Sequence, residues 1–405
     1  MDRSILHCDM NNFYALVERL YNSDLAGKPV AVCGDRELRH GIVLAKSEEA
    51  KRCGVKTGEA IWQAQAKCPE LVIVPTHFDR YVKYSRLARE IYCEYTDLVE
   101  PFGMDECWLD VTASRLAFGT GEKIGAALRE RIRRELGLTI SVGVSFNKIF
   151  AKLGSDMKKP DAMTLLPRDA VAQKIWCLPV EEMLWIGPKS AAVLHRFGID
   201  TIGKLAQADD TFLRLKFGKL GAQMKAGARG EDQSPVLPAD HEPKMKSIGH
   251  GITTPQDLTT YDEVWILIYA LCQDIGEKLR FHKKMARGVA LECKDRNFFV
   301  KSLQTRLSEP TDCTITIANA AFALFRKRYL FREPLRSVSV RAIDLEREEF
   351  PQLSLFTDPK EIKSQVLDHA CDAIRARFGK SAICAASLLS VSLPEEEGYI
   401  PFSAR

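Results

Sequence analysis

The chain opens on a short apolar run, Ile5-Leu6, that soon meets an acid, Asp9, and two adjacent aromatics, Phe13 and Tyr14. Residues that avoid water this strongly read as a buried strand, and a carboxylate at the end of such a strand either caps the next helix or holds a ligand. Helical spacing follows over 15–20. Short apolar strands are expected over 30–33, 42–45 and 71–74, with helices over 47–52 and 59–67 between them. From 78 to 97, Tyr81, Tyr84, Leu87, Ile91 and Tyr95 recur at three- and four-residue steps, a long helix. The run 99–104 then precedes Asp105-Glu106, and a strand covers 107–111. Residues 125–136 place Leu128, Ile132 and Leu136 on one helical face, while 139–145 alternates Ile140, Val142 and Val144 as a strand does. Strands and helices in this mixture define an α/β or α+β domain.

The pattern from 168 to 231 is almost wholly helical and includes a stretch, 184–199, in which a glycine-containing turn joins two short helices. Pro235, Pro238 and Pro243 stand among charges without an apolar period, so 232–246 reads as a linker. Beyond it come a helix over 258–280, alternating runs at Val289/Leu291/Cys293, Ile315/Ile317 and Val338/Val340, and a helix over 318–329. Together they predict a small α+β domain. A tail from 350 carries a helix that starts at Pro359, repeats Ile362, Val366, Ala370 and Ile374, and stops at Gly379.

A chain of 405 residues holds roughly two to four domains, and its 46% apolar and 28% charged residues are the proportions of a globular protein. It has neither a membrane-length apolar run nor a basic, apolar leader, so no membrane association is expected and the cytoplasm is the expected compartment. The twelve cysteines lie singly, without zinc spacing, and read as small buried residues in a reducing environment. Net charge is only +4, but 278–341 holds fifteen Lys and Arg against five Asp and Glu, a local +10 that leaves −6 elsewhere. A basic segment of domain size points to a polyanion.

On a regular strand Asp105 and Glu106 would point to opposite faces, so both reach one site only at a turn or strand start, which Gly103 permits. With Asp9 they make a −3 cluster that calls for cations. All three ligands are hard oxygens, and magnesium is the ion they suit.

Four segments carry a resemblance: H-C-D-M-N-N-F-Y-A-L-V-E from His7, G-M-D-E-C-W-L-D from Gly103, S-V-G-V-S-F-N-K-I-F-A-K from Ser141 and S-D-M-K-K-P from Ser155. In this order they resemble the Y-family DNA polymerases, with a likeness running from Met1 to about Phe356. The resemblance implies an α+β multidomain, right-hand fold: palm over 1–20 and 76–166, fingers over 21–75, a helical thumb over 167–231, linker over 232–244, an α+β little finger over 245–350, and a tail over 351–405. It implies that Asp9, Asp105 and Glu106, with the backbone carbonyl of Met10, hold two magnesium ions for phosphoryl transfer from a deoxynucleoside triphosphate to a primer 3′-hydroxyl, Glu106 being further placed to handle a proton. Tyr14 matches the steric gate that excludes a 2′-hydroxyl. Asn12 and Phe13 are expected along the triphosphate through their backbone N–H groups, and Lys159 is expected to bind it.

In the fingers, where most members carry Thr, Tyr and Arg, the matching residues are Ala45, Glu48 and Lys51. Lys51 is carried over as a triphosphate contact with Lys46 as a substitute, and Glu48, which would repel phosphate if it faced inward, is not expected to touch nucleotide. Asn11 stands where close relatives have Asp. Lys148 and Lys152 are expected to serve the fold or the DNA.

Residues 184–199 resemble a helix-hairpin-helix gripping a phosphate through Gly187 and Lys189, although Leu184-Trp185 replaces the usual Pro-Gly. Lys283, Lys284, Arg326 and Arg328 of the basic domain are expected on the primer-template backbone, and Lys246–Thr254 matches the family strand after the linker. Q-L-S-L-F at 352–356 resembles the peptide that binds the bacterial sliding clamp, anchored by Gln352, Leu355 and Phe356. The resemblance thus implies low-fidelity translesion synthesis by a monomer. Three rivals share parts of this pattern: an inactive clamp-binding repair adaptor, which would keep the tail but lose carboxylates; a structural DNA-binding protein, which has no use for Tyr14 or Lys159; and a two-metal nuclease.

Overall fold

A computed structural model describes residues 2–35, 39, 41–347 and 359–389, so the 352–356 motif lies outside the described residues. The chain divides into two compact units. The first, over 2–34 and 42–242, is built on a five-stranded sheet in the order Val99–Pro101, Glu106–Asp110, Ile5–Met10, Ile140–Ser145, Met163–Leu166. All pairs are antiparallel except the last. Alternation along the opening strand sends Leu6, Cys8 and Met10 into the main core with Tyr81, Tyr92 and Leu128, while Ile5, His7 and Asp9 face the helix Lys148–Met157. That helix lies so close that a Cβ on Gly143 would stand 1.9 Å from the Ala151 carbonyl oxygen, which explains glycine in a β-rich run.

A second, three-stranded sheet joins Val43–Lys46 antiparallel and Val72–Pro75 parallel to Val30–Cys33. Ser47 ends its first hairpin and caps the helix Glu48–Arg52 by accepting from the Ala50 N–H.

Some expectations shift. Of the run 99–104 only Val99–Pro101 is strand, because Gly103, at φ +92°, bends the chain and the Phe102 N–H returns to the Glu106 carbonyl. In 184–199 only Pro188–Arg196 is helical on the described chain; its partner is Ile202–Gln207, across Gly198, and the residues before Gly187 form a turn in which Trp185 takes φ +72°. The proline-rich 232–242 is extended but docked. Val236, 3% exposed, packs with Ile5, Trp108 and Ala151, while the Leu237 N–H donates to Glu100 and that of Ala239 to the Asp97 carbonyl.

The second unit, over 243–347 and 359–389 with 35, 39 and 41, carries a four-stranded antiparallel sheet in the order Val300–Thr311, Lys284–Asp295, Leu335–Arg347, Ser247–Leu258. Helices Tyr261–Phe281 and Thr314–Arg328 cover one face through Leu271, Ile275, Phe325, Leu291 and Val340. Ile315 and Ile317, expected in a strand, open the second helix; the missing strand is Val300–Thr311. The other sheet face is open. Register places Arg306, Gln304 and Ser302 there beside Gly288, Ala290 and Glu292, then Ser339 and Arg341, then Gly249 and Gly251.

The tail helix Pro359–Phe378 buries no side chain and docks on the unit's helical side through charge. Arg280, whose side chain is 5% exposed, reaches Asp372 at 2.5 Å and Asp368 at 3.3 Å, and Asp368 also accepts from the Thr314 N–H. Removing one member of a buried pair strands its partners, so Arg280→Ala is expected to release this helix at a cost of about 3 kcal/mol. Amide hydrogen exchange should show lost protection over 359–378 and unchanged protection in the sheet.

Candidate active site

Register puts Asp9 directly opposite Glu106 on one side and Ser141 on the other, and the Met10 N–H donates to the Asp105 carbonyl at 2.9 Å. The bend at Gly103 therefore does what adjacency on a strand could not: Asp105 sits in the turn and Glu106 opens the strand, both beside Asp9. Asp9 is 4% exposed. The helix Lys148–Met157 and the turn after it deliver two ammonium groups. Lys159 Nζ lies 2.6 Å from Asp9 Oδ2 and 2.9 Å from Asp156; Lys152 Nζ lies 3.2 Å from Asp9, 3.1 Å from Glu106 and 3.1 Å from Asp156. Lys152, expected to serve fold or DNA, thus stands inside the carboxylate cluster. It shares with Asp156 the polar face of an amphipathic helix, and one helical turn of spacing is the only mark it leaves in the sequence. Lys148 instead pairs with Glu100 at 2.6 Å and lies over Trp108, a structural post.

The electrostatics are uneven. Burial, and then the charges of Asp9 and Glu106, push the Asp105 carboxyl up to about 6. Burial also raises Asp9 against the pull of Lys159 and Lys152. Burial would raise Glu106 too, but His7 and Lys152 outweigh it and hold that carboxyl down at about 2. His7, fully buried, is tied through Nδ1 to the Ser155 hydroxyl at 2.8 Å and sets its Nε2 3.3 Å from Glu106 Oε2. Among the described residues no lysine or arginine pairs with Asp105. Three oxygen donors, one of them raised by burial and by its carboxylate neighbours, fit divalent cations of the hard class.

Beside this cluster Asn11 donates to Ser141 and accepts from the Asp161 N–H, so its amide anchors the turn carrying Lys159. Asn12 begins the helix Phe13–Tyr21 in the left-handed region, φ 46°, which Asn tolerates. Phe13 is buried in the core. Tyr14 is half-buried; its ring stacks on Tyr81 at 4.1 Å and 12°, and its hydroxyl donates to Met104 Sδ at 3.6 Å. Tyr81 is in turn fixed by a 2.6 Å hydrogen bond from its hydroxyl to Glu18, which also takes Arg80 and His77. The sequence marked Tyr81 only as a periodic core residue.

Glu48 turns toward the site rather than away from it and accepts from the Asn12 side-chain amide at 3.0 Å. Lys51 is half-exposed, 3.7 Å from the same Glu48 oxygen, and Lys46 donates to Thr57.

The expected DNA contacts lie in different layers. Gly187 caps the helix Pro188–Arg196 and Lys189 is exposed in its first turn. Lys283 and Lys284 occupy the turn and strand start after Tyr261–Phe281, whereas Arg326 and Arg328 end Thr314–Arg328, in the helical layer. Arg306, opposite Gly288, and Arg341, opposite Gly249, stand on the open sheet face, where strand alternation is the signal that could have singled them out.

The carboxylate cluster, bracketed by lysines, stands at the meeting of two central antiparallel strands, and the fold around it is that of the Y-family polymerases. A solved Y-family DNA polymerase chimera superposes with a TM-score of 0.76 over 85% of this chain and 99% of that one, at 21% identity. The chain belongs to the impB/mucB/samB family: the family profile matches residues 8–156 and the profile of its C-terminal domain residues 245–355. Similar curated proteins include DNA polymerase IV of Acetivibrio thermocellus, 49% identical over 94% of this chain and 96% of that one, and DNA polymerase IV of Pelotomaculum thermopropionicum, 38% identical over 97% and 98%. DNA polymerase IV of Moorella thermoacetica is 38% identical over 94% and 95%.

Proposed function

We infer that the chain is a template-directed DNA polymerase of the low-fidelity translesion type, which adds deoxynucleotides to a primer 3′-hydroxyl during bypass and repair of damaged DNA. The observation that carries this reading is the pairing of Asp9 with Glu106 beside Asp105, in a chain 49% identical to a DNA polymerase IV. An inactive adaptor has no need to keep three carboxylates crowded against their own repulsion.

Asp9, Asp105 and Glu106, with the Met10 carbonyl, would hold two magnesium ions. Two such ions supply a lowered pKa at the primer hydroxyl and neutralisation of the triphosphate and departing pyrophosphate. The chain's own residues do the positioning. Asn12 and Phe13 line the triphosphate with backbone N–H groups, Lys159 meets it as a point charge, and Lys51 stands by on the fingers side. Tyr14 closes the space at C2′ of the sugar.

The palm is assigned to 1–20 and 76–166, the fingers to 21–75, the thumb to 167–231, the linker to 232–244 and the little finger to 245–350. Gly187 and Lys189 of the thumb and Lys283, Lys284, Arg326 and Arg328 of the little finger are assigned to the DNA backbone, joined now by Arg306 and Arg341. Gln352, Leu355 and Phe356 are assigned to a sliding clamp. The protein is read as a cytoplasmic monomer; none of its described helices is long and apolar enough to cross a membrane.

Extension of a primed template, intact and with an abasic site, tests the reading: wild type should extend both in magnesium, and failure on the intact template would overturn it. Backbone contacts are sequence-independent and release counterions. Reversing Lys283, Lys284, Arg306 and Arg341 together is therefore expected to weaken DNA binding and to flatten the plot of log affinity against log salt by about 0.7 to 0.9 per lost contact. Fluorescence anisotropy across a salt series checks this.

A further inference from the structure

We propose that Glu48, held by the Asn12 side-chain amide beside the backbone N–H groups that receive the triphosphate, competes with that triphosphate for Lys51 and so raises the nucleotide concentration at which the enzyme half-saturates. The inference rests on the reading that Asn12, Phe13 and Lys159 receive the triphosphate. It deepens that reading by assigning a role to a carboxylate on the fingers side of the site.

Glu48 begins a helix whose cap, Ser47, is fixed on both sides: its hydroxyl accepts from Val30 and Ala50 N–H groups and donates to the Lys28 carbonyl. The carboxylate is thus aimed by the backbone and not left to wander. It spans to Asn12 at 3.0 Å, with Lys51 at 3.7 Å from the same oxygen, and its side chain remains 26% exposed. Nearby, Lys46 is pulled below the ordinary lysine range by burial and then by Lys51, so the two ammonium groups repel and Glu48 helps offset them.

The lysines on the opposite wall are occupied in the same way, Lys159 by Asp9 and Asp156. On each wall a carboxylate holds the donors that a polyanion would use. The two carboxylates part ways once nucleotide and cation arrive. Asp9 is a proposed cation ligand and loses its lysine to a better partner, whereas Glu48 has none waiting. A triphosphate on the Asn12 backbone N–H must draw Lys51 away from Glu48 and then sit beside its charge. An amide in place of that carboxylate can still accept from Asn12 but repels nothing.

Glu48→Gln is therefore expected to lower KM for a deoxynucleoside triphosphate by roughly three- to fivefold, the range of a partly exposed ion pair, at unchanged kcat. Steady-state single-nucleotide insertion by the full chain reads both constants, with Glu48→Ala as a second variant and a thermal melt of each as the folding check. Lys159→Ala, measured alongside, should raise KM. A raised KM for Lys159→Ala with an unchanged or higher KM for Glu48→Gln overturns the role of Glu48 and leaves the triphosphate site standing. An unchanged KM for both overturns the placement of the triphosphate itself.

Discussion

Asp105→Ala is expected to reduce primer extension by about a thousandfold or more while the protein stays folded. Loss of one preorganised group that meets developing charge costs ~10²–10³ in rate, and a carboxylate that helps fix a cation acts on more than one oxygen of the reaction at once. Stability should move the other way. The Asp105 carboxyl is pushed up to about 6 by burial and by Asp9 and Glu106, so near neutrality its ionised form opposes folding. Deleting it relieves that opposition, and in metal-free buffer the melting temperature is expected to rise by a few degrees. Activity lost together with stability would point to a collapsed sheet instead. Normal extension would remove Asp105 from the site altogether.

Tyr14→Ala is expected to improve the relative kcat/KM for ribonucleotides over deoxynucleotides by about a hundredfold, the discrimination a packed pocket wall can supply. The ring works because it cannot retreat: it lies flat on Tyr81, and Tyr81 is bonded to buried Glu18. Tyr14→Phe keeps the ring and should keep the discrimination, since the hydroxyl reaches only Met104 Sδ at 3.6 Å. Insertion assays with matched ribo- and deoxynucleotides separate these outcomes. Unchanged sugar preference in Tyr14→Ala would refute the gate.

The parts of this fold that were legible in the sequence are those where a single pattern had a single cause. The opening strand was readable because Ile5 and Leu6 lead straight to an acid, and the 105–106 turn because Gly103 announces a bend. Strand Val300–Thr311 was not, for at the edge of a half-open sheet it needs only Leu303 and Leu307 inward and fills the rest with Lys301, Ser302, Gln304 and Arg306. Thr314-Ile315-Thr316-Ile317 imitated the missing strand, although those residues begin a helix whose packing with Tyr261–Phe281 decides the matter. Lys152 and Glu48 escaped for a different reason. Each is an ordinary charged helix residue, and only the meeting of distant elements gives it a partner.

The docking of Val236 fixes where a shortened polymerising fragment has to end. A fragment cut at residue 231, just past the helix Lys219–Ala228, would uncover Ile5 and Trp108 on the sheet face that also carries Asp9, together with Ala151 of the helix packed there, and would strip Glu100 of its Leu237 partner. Eleven further residues that look dispensable on composition alone cover part of the face on which Asp9 stands, so a usable fragment runs to Glu242.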